Sequence, residues 1–512
     1  MLIKTSERIP RSGTKREILR KKGQFWTPDW IADIMVDYVL RDKPSRLLDP
    51  ALGEGAFFRA AKRYALIHGF ELKLWGRDID PEIIEKALNS GLSGNDLEHV
   101  ELRDFVFDPP TELFSAIIAN PPYIRHHRLS AEQKVFLRKY AQKTTNKQID
   151  GRAGFHVYFL IRALQTLSPN GRLAYIVSAD ICEGVFAHTL WQWICAHYKL
   201  ESVITFTPEA APFPDVDTNA IIFFIQNTTP STSFEWIKCL ERNTDGLSAM
   251  ATENAVKRSS GFQIYHRQVS EALATGFSRP PREKDDSQFT LGDFATVMRG
   301  IVTGNNDFFF MTSARARQLG IPDSMLVNAL GRIRDVEGDN FGIEDLERLE
   351  TSGRPTRLLN VNGFSFDQLP LPVQKYLKIG EEKGLPDMTL IKTRKPWYRM
   401  EYRKVPPILF AYLGRRNARF IMNSANVVPL TCLLCIYPKN SSPEFTKHLW
   451  SILSNAETIG NLRKVGKSYG GDAIKVEPRA LERLPLPDKL VFAEGLHKFL
   501  PQQQEVLVFD TQ

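Results

Sequence analysis

The residues best able to do chemistry are Asn120-Pro121-Pro122-Tyr123, directly after the apolar run Ile117-Ile118-Ala119. Two consecutive prolines fix the backbone and remove two N–H donors, leaving carbonyls that can only accept hydrogen bonds. Beside them Asn120 offers an amide oxygen, and Tyr123 a ring that can stack on a flat partner. Such a pair of acceptors suits one NH2 group. An exocyclic amine on a heteroaromatic ring is a poor nucleophile because its lone pair is delocalised. Accepting both of its hydrogens draws the nitrogen toward tetrahedral geometry and frees the lone pair for attack. The plain alternative, a proline turn closing a strand, explains neither the asparagine nor the tyrosine.

A second cluster lies upstream. Leu47-Leu48-Asp49-Pro50-Ala51-Leu52-Gly53-Glu54-Gly55-Ala56 reads as a strand, a glycine turn and a helix start. Its glycines let the backbone pass close to a ligand, and the helix start offers free N–H groups. A bare G-x-G is common by chance, but Asp78 ends the next apolar run 25 residues after Gly53. An acid there can take ribose hydroxyls, while Asp80 before Pro81 can cap the following helix. Asp104-Phe105 follows another short strand. The pair could hold an adenine amino group and pack on its ring, or be a polar loop residue beside a core phenylalanine.

These residues need a parallel sheet to bring them together, and the first half of the chain alternates accordingly. Strands are expected at Arg46–Asp49, Leu72–Asp78, Val100–Leu102, Ala116–Ala119, Arg172–Ser178, Ser202–Phe206 and Ala220–Gln226. Helices are expected at Ala56–His68, Pro81–Leu88, Gly154–Leu167 and Ala187–His197. The last two strands have only a loop between them, so that pair should be antiparallel. The fold class is α/β: a seven-stranded Rossmann-like sheet with a reversed final hairpin, followed by a C-terminal domain of mixed α and β structure.

The order of these motifs resembles that of the gamma class of S-adenosylmethionine-dependent DNA adenine-N6 methyltransferases of restriction-modification systems, the TaqI-type enzymes. In that class a short motif precedes the glycine turn, here Phe25-Trp26-Thr27-Pro28. The likeness runs over residues 23–230 and closes with Ala211-Pro212-Phe213-Pro214-Asp215 before the last strand. It extends to Arg299–Met311 and Gly466–Pro487, which are similar to parts of the family's target-recognition region. The resemblance implies that Thr27, Pro28, Asp49, Ala51 and Gly53 hold the methionine end of the cofactor. Asp78 would take its ribose, and Asp104 with Phe105 its adenine. Asn120 and the Pro121 carbonyl would grip the target amine, with the flipped base between Tyr123 and Phe213; Phe206 competes for the last role. Asp78 departs from the glutamate common in the family, which shortens the reach to ribose.

Composition narrows the alternatives. The chain has 512 residues, 43% hydrophobic and 25% charged, which is globular rather than disordered. No apolar run approaches the ~20 residues that span a bilayer. The basic segment 1–22 lacks the apolar core of a secretory signal, and five cysteines do not make a disulfide scaffold. A cytoplasmic protein is expected. Carbon methylation of cytosine needs a thiolate, usually after a proline, and no cysteine here follows one. Cys432-x-x-Cys435 sits in the apolar run VVPLTCLLCIY with no second pair, which reads as a buried strand rather than a zinc site, so no metal is expected. Cytosine-N4 transfer uses the same chemistry, but serine usually stands where Asn120 is. RNA and protein N-methyltransferases also carry N-P-P-Y, yet generally lack so large a C-terminal appendage. A fused nuclease is not expected in the 22 residues ahead of the Phe25 motif, so any cognate restriction endonuclease would be a separate chain. A non-enzymatic DNA-binding module would not keep these motifs intact.

The expected boundaries are a basic arm at 1–22, the catalytic domain at 23–230, a connection at 231–285 and the target-recognition domain at 286–512. The net charge of +8 permits a polyanionic partner. Between Lys392 and Arg419 nine cations, including Arg394, Lys395, Arg399, Arg415 and Arg416, face Glu401 as the only acid. Trp397, Tyr398, Tyr402, Phe410 and Tyr412 are interleaved with them. That mixture suits the backbone of double-stranded DNA, and a solvated basic face is its bland counterpart. Asn305 and Asn306 in Thr303-Gly304-Asn305-Asn306-Asp307 suit base edges in a groove, or a plain hairpin loop. A monomer acting on duplex DNA is expected.

Overall fold

A computed structural model describes residues 26–213, 219–242, 261–281, 287–411, 418–469 and 473–500. The arm 1–22, Phe25, residues 214–218, Tyr412, Arg415 and Arg416 lie outside the described residues. The chain divides into two compact units, residues 1–281 and 282–512.

The first unit is built on one mixed sheet. Its strands are β1 (Arg46–Asp49), β2 (Lys73–Asp78), β3 (His99–Leu102), β4 (Phe114–Ala119), β5 (Leu167–Ser178), β6 (Lys199–Phe206), β7 (Ala220–Gln226), β8 (Ser233–Cys239) and β9 (Phe262–Gln268). Their spatial order is β3-β2-β1-β4-β5-β7-β6-β8-β9. Strands β1 to β5 pair in parallel, and β7 lies antiparallel between β5 and β6. All seven expected strands are present, with the hairpin reversed.

Alternation along β4 shows how both faces are covered. Ala116 and Ile118 join a core with the helices Asp29–Leu40 and Ala56–His68, while Ile117 and Ala119 join another with the helix Phe155–Thr166. Apart from the exposed Ser115, this central parallel strand is apolar because its side chains meet helices on both sides. The helix Ala56–His68 starts after Gly55 (φ +74°) and stops at Gly69 (φ +64°), left-handed positions that glycine occupies without strain.

The expected connection at 231–285 holds structure of its own. The polar run before Ser233 ends the first seven strands, but Ser233-Phe-Glu-Trp-Ile-Lys-Cys buries Phe234, Trp236, Ile237 and Cys239. It pairs in parallel with β6 and antiparallel with β9, extending the sheet to nine strands. The helix Val269–Thr275 follows β9, and the fully buried Arg267 ties the two together. Its guanidinium donates to the carbonyls of Gly276 (3.0 Å) and Arg279 (2.7 Å), to the Thr275 hydroxyl, and to Glu271 (3.3 Å).

In the second unit, Ala295–Arg299, Leu434–Pro438, Ile408–Ala411 and Arg419–Met422 form one antiparallel sheet in that order. Phe310–Met311, Arg357–Leu359, Leu326–Leu330 and Val428–Pro429 form a second, mixed sheet, whose last pair is parallel. The apolar run around Cys435 is the buried strand expected of it, with Cys432 in the turn before. Burial pushes the Cys432 and Cys435 thiols up to about 12 and about 11, the state of inert core thiols. Among the described residues no helix is long and apolar enough to cross a membrane.

Replacing Arg267 with methionine leaves the Gly276 and Arg279 carbonyls without the guanidinium that donates to them. The expected loss of stability is about 3 kcal/mol, read from the urea midpoint of the first unit's transition. A loss below about 1 kcal/mol would show that the arginine does not hold this extension.

Candidate active site at the carboxyl ends of the strands

Strand order reverses between β1 and β4, and open α/β sheets bind ligands outside the carboxyl ends at such a point. A cavity of about 580 Å³ lies there, lined by Thr27, Ala51, Gly53, Asp78, Asp104 and Asn120 among others. Gly53 adopts φ +54°, and its N–H donates to Asp78 Oδ2 at 3.1 Å. The Asp80 N–H donates to Asp78 Oδ1 at 2.9 Å. The Asp78 carboxylate is thus fixed at the end of β2 with acceptor capacity to spare. Asp80 in turn accepts from the Glu82 N–H (3.2 Å) at the start of the next helix.

Asp104 is oriented in the same way. Its Oδ1 accepts from the N–H groups of Val106 (2.8 Å) and Phe107 (2.9 Å), so the carboxylate is anchored by one oxygen. Phe105 is in the core, its ring 4.9 Å from that of Phe159, and both also edge the cavity. Asp49 lies behind the glycine turn, fully buried, with Oδ1 accepting from Ala51 N–H at 3.1 Å. Its Oδ2 has no hydrogen-bond partner among the described residues. Burial, reinforced by the nearby Asp78 carboxylate, raises its pKa to about 8.

At the end of β4, the Asn120 amide nitrogen donates to Thr27 Oγ1 at 3.1 Å. This contact joins the Thr27-Pro28 segment to the N-P-P-Y strand end, and no local pattern encodes it. Pro28 is the N-cap of the helix Asp29–Leu40 and does not edge the cavity. Tyr123 packs on one face's core and Phe213 on the other's, whereas Phe206 meets Trp30 edge to face at 5.9 Å. No local pattern marks His156 either. Its ring lies 6.3 Å from that of Tyr123, and burial depresses its pKa to about 4, so it is neutral at pH 7.

In the second unit, Lys395 and Arg399 are exposed, while Arg394 donates to the carbonyls of Val302 and Thr303. The interleaved aromatics divide as well. Tyr398 and Phe410 are core residues, Trp397 donates to Glu381, and Tyr402 is 72% exposed. The buried pair fills the two sheets' cores rather than offering a stacking surface. Asn305 caps a short helix by accepting from Phe308 N–H at 3.0 Å, and Asn306 is exposed.

The family model for the C-terminal domain of the type II methyltransferase M.Eco57I matches residues 282–507, and the Eco57I restriction-modification methylase model matches residues 66–213. The chain belongs to the Eco57I family of type II restriction-modification methyltransferases. It is 25% identical to the type II methyltransferase M.AccI of Acinetobacter calcoaceticus over 99% of its length and 95% of that relative's. It is 24% identical to M.XamI of Xanthomonas campestris pv. amaranthicola, over 93% and 86%. Among solved structures it shares a fold with the type IIL restriction-modification enzyme MmeI, whose structure is in complex with DNA, at a TM-score of 0.55 and 13% identity. That match covers 91% of this chain and 64% of the MmeI chain, and it supports the architecture only.

Members of the Eco57I family are S-adenosylmethionine-dependent DNA methyltransferases, and this site fits that cofactor. The cofactor carries a sulfonium and an ammonium. The chain offers an acidic pair, Asp49 and Asp78, one oxygen of which is buried without a donor. Ala51, Gly53 and Thr27 would border the methionine end, Asp78 the ribose and Asp104 the adenine amine.

Asp49 makes this fit measurable. Its folded pKa lies above the ordinary 3.8, so its stabilising contribution is present at low pH and is lost as pH rises from 3.8 to about 8. At pH 7 the unliganded site holds the proton, and a cation bound beside the turn should expel it. Cofactor titration at pH 7 should therefore show an enthalpy that depends on the buffer's ionisation heat, with close to one proton released. Asp49→Asn should remove that dependence, and a buffer-independent enthalpy for the unmodified protein would contradict the assignment.

Proposed function

We propose that this Eco57I-family enzyme transfers a methyl group from S-adenosylmethionine to N6 of adenine in duplex DNA, at one recognition site, after the target nucleotide leaves the stack. An amine inside the duplex cannot reach a site at strand ends, so the base must flip out. The observation that carries the reading is the orientation of Asn120. Its nitrogen is given to Thr27, which leaves its oxygen to accept from an amine. Pro121 adds a carbonyl at a position whose neighbour, Pro122, has no N–H to compete.

Each residue then has a task. Asn120 and the Pro121 carbonyl accept the two amine hydrogens and make the nitrogen pyramidal. Tyr123 and Phe213 would stack on the two faces of the flipped base at the carboxyl ends of the strands. The cofactor brings a methyl group already activated on a sulfonium. With the amine held by Asn120 and the Pro121 carbonyl, its lone pair would form the new N–C bond as the donor's S–C bond breaks, and the surplus amine proton would leave afterward to solvent. No nucleophilic side chain is required, in keeping with thiols that burial holds protonated. Asparagine at position 120 favours adenine over cytosine N4, where serine is usual. The second unit favours DNA over a protein or RNA target. A separate endonuclease cutting the same site would be the enzyme from which this methylation protects DNA.

Labelled cofactor, plasmid and protein, followed by digestion to nucleosides, should yield N6-methyladenine. Label in N4-methylcytosine, in RNA or in protein would refute the assignment. Asn120→Ala should abolish turnover with cofactor affinity near normal. Asp78→Ala should weaken cofactor binding by about 1–3 kcal/mol, the usual cost of an unpaired buried polar contact. Calorimetric titration of both variants separates the roles, and equal loss of cofactor binding would contradict them.

A further inference from the structure

Arg394 looks in sequence like one more phosphate contact in a basic run. Its geometry is different. Nη1 donates to the Thr303 carbonyl at 2.9 Å and Nη2 to the Val302 carbonyl at 2.8 Å, so both terminal nitrogens are engaged by one loop. The loop is tightly fitted there. Gly304 has φ +80°, and a Cβ at that position would stand 2.7 Å from Ile391 Cγ1 and 3.5 Å from Arg394 Nη2. Beyond it the Thr303 hydroxyl bonds to Asn306 Oδ1, and Asn305 caps the turn through Phe308 N–H. Asn306 and Asp307 remain exposed at the tip. Lys392, Thr393 and Lys395, on either side of Arg394, are exposed as well.

We infer that Arg394 is the clamp of a base-reading turn rather than a phosphate contact, and that through this turn it sets which DNA sequence is methylated. The inference rests on the proposal that the protein acts on duplex DNA. Asn306 Oδ1 is engaged by Thr303, so its NH2 is the donor available to a base acceptor, while the Asp307 carboxylate can accept from a base amine. Hydrogen bonds of this kind discriminate between bases only when the side chains are held in place, and a guanidinium bridging two successive carbonyls holds the backbone that carries them. The exposed Lys395 beside it is free to meet phosphate, which carries affinity but no sequence information. Arg394 is therefore a positioning residue for specificity, separated by one bond of chain from a residue for general grip.

The recognition sequence is first read by sequencing methylated DNA from cells expressing the protein. Affinity is then measured, at several salt concentrations, for a duplex containing that site and one lacking it. The unmodified protein tests the underlying proposal: equal affinity for both duplexes would refute the functional reading itself. Given discrimination, Arg394→Met should reduce the specific-to-non-specific affinity ratio about tenfold or more while leaving the salt slope unchanged. Lys395→Met should do the opposite, flattening the slope by about one phosphate with the ratio preserved. Should the methionine variant not fold, Arg394→Lys decides. It keeps the charge but cannot bridge two carbonyls, so the clamp requires a lowered ratio at full salt slope. Unaltered discrimination in Arg394→Lys, or a flattened slope with intact discrimination in Arg394→Met, would overturn the inference.

Discussion

The Asn120 amide nitrogen donates to the Thr27 hydroxyl at 3.1 Å across 93 residues of chain, and the proposed chemistry depends on this contact. An asparagine side chain presents a donor and an acceptor on opposite branches of one plane. Whichever branch is held, the other is what a substrate meets. Holding the nitrogen presents the oxygen, and an amine then finds an acceptor rather than a repelling donor. The following prolines hold the adjacent carbonyl without adding an N–H. The sheet supplies the rest: β4 lies between β1 and β5, buried on both faces, so its carboxyl end is a rigid platform.

The side of the cavity that would hold the cofactor follows a complementary electrostatic rule. Asp49 and Asp78 are brought close, and burial of Asp49 makes a second negative charge costly until a cation arrives. Asp78 and Asp104 are each anchored by backbone N–H groups, which fixes their direction while leaving acceptor capacity. In the second unit a cation is used to shape a loop, and other cations nearby stay exposed.

Much of this was legible because the informative residues sit where the backbone does something special. The N-P-P-Y strand end, the glycine turn and the acid ending β2 all mark strand termini, and the apolar runs between them are the strands observed. Two helices lie outside the sequence expectations. Ala131–Thr145 carries the capping pattern Ser130-x-x-Gln133, and Asp29–Leu40 carries Asp29, Asp33 and Asp37 at spacings of four on one polar stripe, so both have a readable helical signal. The segment 231–285 reads as a connection because its polar start masks the alternation in β8. The Thr27–Asn120 contact could not be seen at all, since no local pattern encodes a hydrogen bond between segments so far apart. Nor could charge alone separate Arg394, which bonds to carbonyls, from Lys395, which faces solvent.

The most direct test of the account is the single-turnover rate of methyl transfer in Thr27→Val, measured at saturating cofactor and DNA and set beside Thr27→Ser. Valine keeps the shape but cannot accept from Asn120, whereas serine keeps the acceptor. Losing one such hydrogen bond costs about 1 kcal/mol or more, so the valine variant should transfer methyl roughly five- to tenfold more slowly, with serine near the unmodified rate. A valine variant that transfers methyl at the unmodified rate would contradict the claim that this contact orients the catalytic amide.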